Sequence, residues 1–428
     1  MTTQALEARA GRITEEMEKV AVLEGVTPEF VREGVAAGRI VIPKNKYRDR
    51  EKICGIGTGL DIKVNGLMGT SSDRNDKAME ARKLRLLEEC GANAFMDLST
   101  GDDIDGMRKQ SLDISNIAAG CVPVYQASVE AIAKHGSMVG MTSDELFNTL
   151  EKQCQEGMDF MAIHSALNWH VLNTLRKTSR TTDVVSRGGS FLTAWMFHNQ
   201  KENPLYEEFD RLLEILKATD TVLSIGDAIR PGCNADSLDA AQMQGLMVAG
   251  ELANRALDAG VQVMIEGPGH VPLNQIATTM QMQKRLCHNV PYYILGFLAT
   301  DVAPGYDNIT GAIGGAFAGM HGADFLCYLT PAEHLGLPNE DDVRMGVRTT
   351  RIAADCANML RRGGPSWNRS LAMSRARVAR DPEAQIANSL VPGVVREKMA
   401  KEPDHNHCAA CGDAKCPADV AAEFFGLA

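Results

Sequence analysis

The chain has 428 residues, 44% of them hydrophobic and 23% charged, which fits a soluble globular protein of one large domain or two to three ordinary ones and excludes collagen, coiled coil and wholesale disorder. A net charge of −11 counts against a nucleic-acid partner, because phosphate contacts need a basic surface. No apolar run reaches about 18 residues and the acidic N-terminus lacks a signal pattern, so no membrane association is expected and the chain is read as cytoplasmic.

Residues 3–35 read as helical and charged, followed by the apolar run Ile40-Val41-Ile42 and a glycine-containing loop over 44–60. From there to about Pro331, short β-rich runs alternate with amphipathic stretches. Candidate strands lie at 62–65, 94–97, 122–125, 160–164, 183–186, 222–226, 261–265, 292–295 and 325–329. Helical patterns fall between them at 77–89, 143–155, 206–217 and 240–259. This alternation implies a parallel sheet. Met96, Tyr125, His164, Ser186, Asp227, Glu266 and Tyr293 sit at or near the ends of these runs. An open doubly wound sheet gathers its ligand at one switch point, whereas a (β/α)8 barrel collects every strand C-terminus on one face. The expected fold class is therefore α/β, a TIM-like (β/α)8 barrel, with one strand candidate too many. Further helices are expected at 341–361, 365–380 and 381–389. The organisation read from this is an N-terminal helical segment and loop (1–60), a catalytic barrel (61–340), C-terminal helices (341–397), and a linker with a metal-binding segment (398–428).

The tail carries Cys408-Ala-Ala-Cys411-Gly-Asp-Ala-Lys-Cys416, a C-x2-C-x4-C pattern. The other eight of eleven cysteines are scattered singly, and an odd total in a cytosolic chain argues against a disulfide framework. Three thiolates this close can surround one metal centre. With His405 or His407 as a fourth ligand the site would suit zinc. Without one it suits a 4Fe–4S cluster with an open iron, able to chelate S-adenosylmethionine through its amino and carboxylate groups and reduce its sulfonium.

Four strings belong to the expected barrel face. Glu266-Gly-Pro-Gly-His270 makes a tight turn holding a carboxylate and an imidazole. His334 follows the last strand candidate, and the two histidines either share a divalent metal or act as ordinary hydrogen-bonding loop residues. Ser186-Arg187-Gly188-Gly189-Ser190 opens a helix, either as a phosphate site built from Arg and free amides or as a glycine turn with a structural arginine. Asp227-Ala228-Ile229-Arg230 sets an acid and a base three residues apart, to read hydroxyls and phosphate or to pair with each other. The glycines of 55–59 follow no convincing strand, so a dinucleotide reading is poor. Those of 311–319 suit close helix packing.

Together with Val185-Ser-Arg-Gly-Gly, His198-Asn-Gln-Lys-Glu-Asn-Pro-Leu-Tyr206, Glu266-Gly-Pro-Gly-His-Val-Pro, Ala303-Pro-Gly-Tyr306 and Glu333-His-Leu-Gly-Leu-Pro338, the cysteine triad resembles the ThiC family, the phosphomethylpyrimidine synthases and their relatives. The resemblance runs from about residue 4 to the triad. It implies a non-standard radical S-adenosylmethionine enzyme acting on 5-aminoimidazole ribotide, classed as a carbon–carbon lyase. Substrate contacts would be Met96, Tyr125, His164, Ser186, Arg187, Gly188, Asp227, Ala228, Ile229, Arg230, Glu266 and Tyr293. His270 and His334 would hold a zinc-type ion, zinc or iron, and Cys408, Cys411 and Cys416 a 4Fe–4S cluster. Glu266 and the three cysteines would be the catalytic groups. The family is dimeric, with the cluster segment of one subunit closing the other's barrel, and the cluster needs an external electron donor.

Departures from the pyrimidine synthase pattern cluster at strand ends. Asn65-Gly-Leu-Met-Gly69 replaces Asn-Ala-Asn-Ile-Gly, so Leu67 stands where an amide contacts substrate. Gly226-Asp-Ala-Ile-Arg230 replaces Gly-Asp-Gly-Leu-Arg, and Tyr306-Asp-Asn308 replaces Tyr-Asp-His. Because losing a hydrogen-bonding group strongly changes discrimination, the same substrate with a different rearrangement is expected. That expectation matches the family's anaerobic 5-hydroxybenzimidazole synthase paralogue, of the BzaF type, which makes a cobamide lower-ligand precursor. The competing readings are the pyrimidine synthase of thiamin biosynthesis and, remotely, a zinc-binding or electron-carrier protein.

Overall fold

In the computed structural model, which describes residues 2–362, 364–401 and 416–426, eight parallel strands close into a barrel. They are β1 (Lys63–Met68), β2 (Ala94–Asp97), β3 (Ala118–Cys121), β4 (Phe160–Ile163), β5 (Val222–Ile225), β6 (Val263–Glu266), β7 (Tyr292–Ile294) and β8 (Phe325–Cys327). Each pairs with its sequence neighbour, and β8 returns to β1 with Cys327 opposite Asn65. Apart from the half-buried Leu67, every strand residue is buried. Inside the barrel Phe325 meets Phe160 edge-on at 6.1 Å and lies 4.5 Å from Tyr293. Gly120 in β3 makes room for this layer, since a Cβ there would stand 2.3 Å from the Phe160 ring.

Two expected strands are corrected. The strand expected at 122–125 lies four residues earlier, at Ala118–Cys121. Its Ala-Ala-Gly-Cys sequence has weak strand propensity, whereas Val122, Val124 and Tyr125 look strand-like but flank Pro123, which opens the helix Pro123–His135. The stretch 183–186 is the surplus ninth candidate. Its approach is held by Asp236, which accepts from the backbone N–H groups of Thr181 and Thr182 at 2.8 Å each, and it ends as the cap of helix Arg187–Asn199. Helices Lys77–Glu89, Ser143–Gln155 and Ala240–Ala259 fall where the periodicity puts them, each capped by an Asp or Thr side chain.

The helical N-terminus forms three short helices, Gln4–Arg9, Glu15–Glu24 and Pro28–Ala36, each with a threonine N-cap. Met17, Val20, Val31, Val35, Ile40 and Leu60 give this segment its own small core. It closes the N-terminal end of the barrel. Gln262, just before β6, accepts from the Ile42 N–H at 2.8 Å, and Asp159, just before β4, pairs with buried Arg48 at 2.6 Å. With that end sealed, the strand C-termini are left for chemistry.

The chain divides into two compact units. The first runs to Arg361 and includes the helix Glu340–Arg361. The second starts at Arg362 and contains helices Gly364–Val378, Pro382–Asn388, Pro392–Met399 and Pro417–Phe425. Among the described residues no helix is long and apolar enough to cross a membrane.

Candidate active site

The C-terminal ends of the strands bring most of the expected residues to one mouth. Met96 is the third residue of β2, Tyr293 the middle of β7 and Glu266 the last of β6. His164 follows β4 directly, and Asp227 to Arg230 form the turn after β5. Tyr125 and Ser186 arrive by another route than expected. Tyr125 projects from the first turn of helix Pro123–His135, and Ser186 caps helix Arg187–Asn199, so neither sits on a strand end.

That cap leaves backbone donors at the start of the helix. Ser186 Oγ accepts from the Gly189 N–H at 3.2 Å, while the amides of Arg187 and Gly188 have no acceptor within the helix. The exposed Arg187 guanidinium lies over the rings of Tyr125 (5.1 Å) and Phe191 (5.7 Å) and donates to Thr100 Oγ at 3.5 Å. Those aromatic faces support the cation at the mouth. Gly188 lets the helix start press against His164: a Cβ there would stand 2.3 Å from the imidazole. Arg187 also lines a cavity of about 250 Å³ with Leu67, Leu98, Thr100, Tyr328 and Leu337.

Burial sets the protonation states. Glu266 is pushed up to about 7 by desolvation; Arg230 opposes the shift and Asp227 adds to it. Asp227 is pushed up to about 6, again by burial against the pull of Arg230. His164 is pushed down to about 3 by burial and then by Arg230, so its ring is neutral, and its buried Nδ1 has no hydrogen-bond partner among the described residues. The site thus holds a neutral imidazole and two carboxyls that keep protons nearer neutrality than usual, arranged around one arginine.

Supporting groups that the sequence did not single out fix this arrangement. Asn65 Nδ2 donates to Tyr293 Oη at 2.7 Å, and the same hydroxyl is hydrogen-bonded with the Cys327 thiol, so two neighbours fix the ring. Asn203, inside the 198–206 string, donates to the carbonyls of His164 and Leu167 at 2.9 and 2.8 Å. Arg180 donates to the Ile229 carbonyl at 2.7 Å and pairs with Asp239, anchoring the Asp227–Arg230 turn. Of these, Asn203 and Asn65 carried a signal in the chain, each through the string that contains it. Arg180 is a single polar residue whose partners lie far away in sequence.

His270 and His334 come together with ring centroids 5.4 Å apart. Nδ1 of His270 contacts Asp301 Oδ1 at 2.8 Å, and Nδ1 of His334 contacts Asp307 Oδ1 at 3.0 Å. A carboxylate can only accept, so each Nδ1 carries the hydrogen and Nε2 is the ring atom left for an ion. Ligating histidines are oriented in this way, and the residues fit a divalent ion. Among the described residues no third His, Cys, Asp or Glu completes a cluster. An ion there would keep several positions for other ligands. Cys416 is half-buried, just before helix Pro417–Phe425. Cys408 and Cys411, with His405 and His407, lie outside the described residues.

The chain is similar to known proteins over nearly its whole length. The family model described as the radical SAM ThiC family matches residues 3–423. A protein named 5-hydroxybenzimidazole synthase BzaB from Eubacterium limosum is 84% identical over 426 residues, covering 100% of both chains. One of the same name from Moorella thermoacetica is 60% identical over 425 residues, covering 99% of this chain and 100% of its own. From the same organism, a phosphomethylpyrimidine synthase is 50% identical over 426 residues, covering 99% and 98%. The benzimidazole relatives carry the designation BzaB, not BzaF.

Proposed function

The chain belongs to the radical SAM ThiC family, and from that premise we propose that it converts 5-aminoimidazole ribotide to 5-hydroxybenzimidazole with release of formate and phosphate, in anaerobic cobamide lower-ligand biosynthesis. The observation that carries the choice of product is Leu67. An apolar side chain lines the mouth cavity beside Arg187 where the pyrimidine synthase pattern has an amide, while the groups for phosphate and for proton handling stay in place. The higher identity to the benzimidazole synthases than to the pyrimidine synthases supports it.

The family implies a 4Fe–4S cluster and S-adenosylmethionine. Cys408, Cys411 and Cys416 would hold the cluster, which when reduced supplies the electron that cleaves S-adenosylmethionine and yields a 5′-deoxyadenosyl radical. The chain's own residues prepare the substrate. Arg187 and the first-turn amides of its helix bind the phosphate. The Asp227–Arg230 turn, anchored by Arg180, holds the ribose. Glu266 keeps a proton on its carboxyl near neutrality and donates it in a hydrogen bond to the imidazole of the ribotide, while neutral His164 accepts through Nδ1 and Tyr293, oriented by Asn65 and Cys327, contacts the substrate. At position 67 the Leu side chain offers no hydrogen bond, so the sugar fragments are not gripped by it during rearrangement. His270 and His334 would hold a zinc or iron ion through Nε2. The working form is a homodimer with exchanged cluster segments, reduced by an external electron donor.

The test is product analysis by mass spectrometry after anaerobic incubation of the cluster-loaded chain with aminoimidazole ribotide, S-adenosylmethionine and a reductant. 5-Hydroxybenzimidazole and formate are expected. A phosphorylated hydroxymethylpyrimidine as the main product would return the chain to thiamin biosynthesis.

A further inference from the structure

The loop joining β5 to helix Ala240–Ala259 carries Asp227 and Arg230 and is tied down at three points. Arg180 holds the Ile229 carbonyl, and Asp236 holds Thr181 and Thr182. The third tie reaches the histidine pair. Asp301 Oδ2 accepts from the backbone N–H of Asn234 at 2.8 Å, while Oδ1 of the same carboxylate takes the Nδ1–H of His270 at 2.8 Å. One side chain therefore bridges an imidazole and the loop that holds the ribose. The other pair is built differently. Asp307 Oδ1 takes His334 at 3.0 Å, but its buried Oδ2 has no partner among the described residues and reaches no loop.

We propose that Asp301 is a positioning residue that couples ion binding at His270 to the order of the substrate loop, so that ion and ribotide tighten each other's binding. The inference rests on the two-histidine reading above and goes beyond it. An ion on Nε2 draws electron density through the ring, makes Nδ1–H a stronger donor and immobilises the Asp301 carboxylate. Its second oxygen then holds Asn234 in place, so the entropy of ordering the loop is no longer charged to substrate binding. The coupling is reciprocal by linkage. Asp307 orients its histidine without transmitting anything to the loop.

The experiment titrates zinc against a chromophoric chelator, with and without aminoimidazole ribotide, on the full-length chain with its cluster in place. In the wild type the ribotide should tighten zinc at least about fivefold, and zinc should tighten the ribotide by the same factor. Asp307→Ala should weaken zinc by about 10- to 100-fold and leave that factor intact. Asp301→Ala should weaken zinc comparably and reduce the factor to about one. Asp301→Asn keeps the size of the side chain but cannot accept from His270 and Asn234 at once, so it too should lose the coupling, which guards against misfolding of the alanine variant. Absence of coupling in the wild type, or its survival in Asp301→Asn, overturns the proposal. Zinc affinity unchanged by His270→Ala would instead overturn the two-histidine reading, and the coupling with it.

Discussion

Glu266→Gln removes one titrating group and keeps the shape of the side chain. The native protein holds this buried carboxyl at about 7 against an ordinary 4.5. The folded chain therefore binds that proton about 300 times more tightly than the unfolded chain, worth about 3 kcal/mol. The native value lies above the unfolded one, so this contribution is fully present below pH 4.5 and is lost as the pH rises through 7. Urea unfolding of both proteins from about pH 4.5 to about pH 8.5 reads it, because groups that do not interact with Glu266 cancel in the difference. Relative to the variant, the wild type should lose up to about 3 kcal/mol across that window and then level off. Asp227, pushed up to about 6, repels Glu266 and is part of its shift, so Asp227→Asn should reduce the effect. A difference that does not change with pH would mean that Glu266 is ionised in the native site, and the hydrogen bond it is assigned to give the imidazole would fall.

Three further outcomes are expected. Arg187→Ala should weaken the ribotide by about 10- to 100-fold in calorimetry while hardly affecting the dephosphorylated riboside, because a charge-assisted contact is lost only for the former; equal weakening of both would remove Arg187 from the phosphate site. Leu67→Asn should lower the yield of 5-hydroxybenzimidazole more than it lowers 5′-deoxyadenosine formation, since it disturbs the rearrangement and not the radical's generation, and a matched loss of both in chromatography would contradict the assignment of Leu67. Cys416→Ala should abolish 5′-deoxyadenosine formation with the circular dichroism of the chain unchanged, and continued cleavage of S-adenosylmethionine would place the cluster elsewhere.

Local chemistry along the chain was enough to read the barrel. Strand–helix alternation and residues with side-chain chemistry at the run ends pointed to eight converging strands, and helices with strong caps such as Ser143–Gln155 were legible to the residue. On spacing alone only the cysteine triad pointed to a metal centre, whereas the strings around Glu266 and Ser186 drew their expected roles from the family resemblance. Propensity misled where side chains were small or ambiguous. Ala118–Cys121 is a strand because its neighbours bury it, and 183–186 is not one because Asp236 claims the backbone leading to it. The supporting contacts belong to the tertiary structure alone. Asn65 meets Tyr293 from 228 positions away, and Asp301 bridges His270 and Asn234 across 31 and 67. The string at 65–69 marks Asn65 without naming its partner, and nothing in the sequence near Asp301 differs from an ordinary surface Asp. Only closure of the barrel brings their partners within hydrogen-bonding distance, and only the burial that comes with closure raises Glu266 toward neutrality and keeps His164 uncharged.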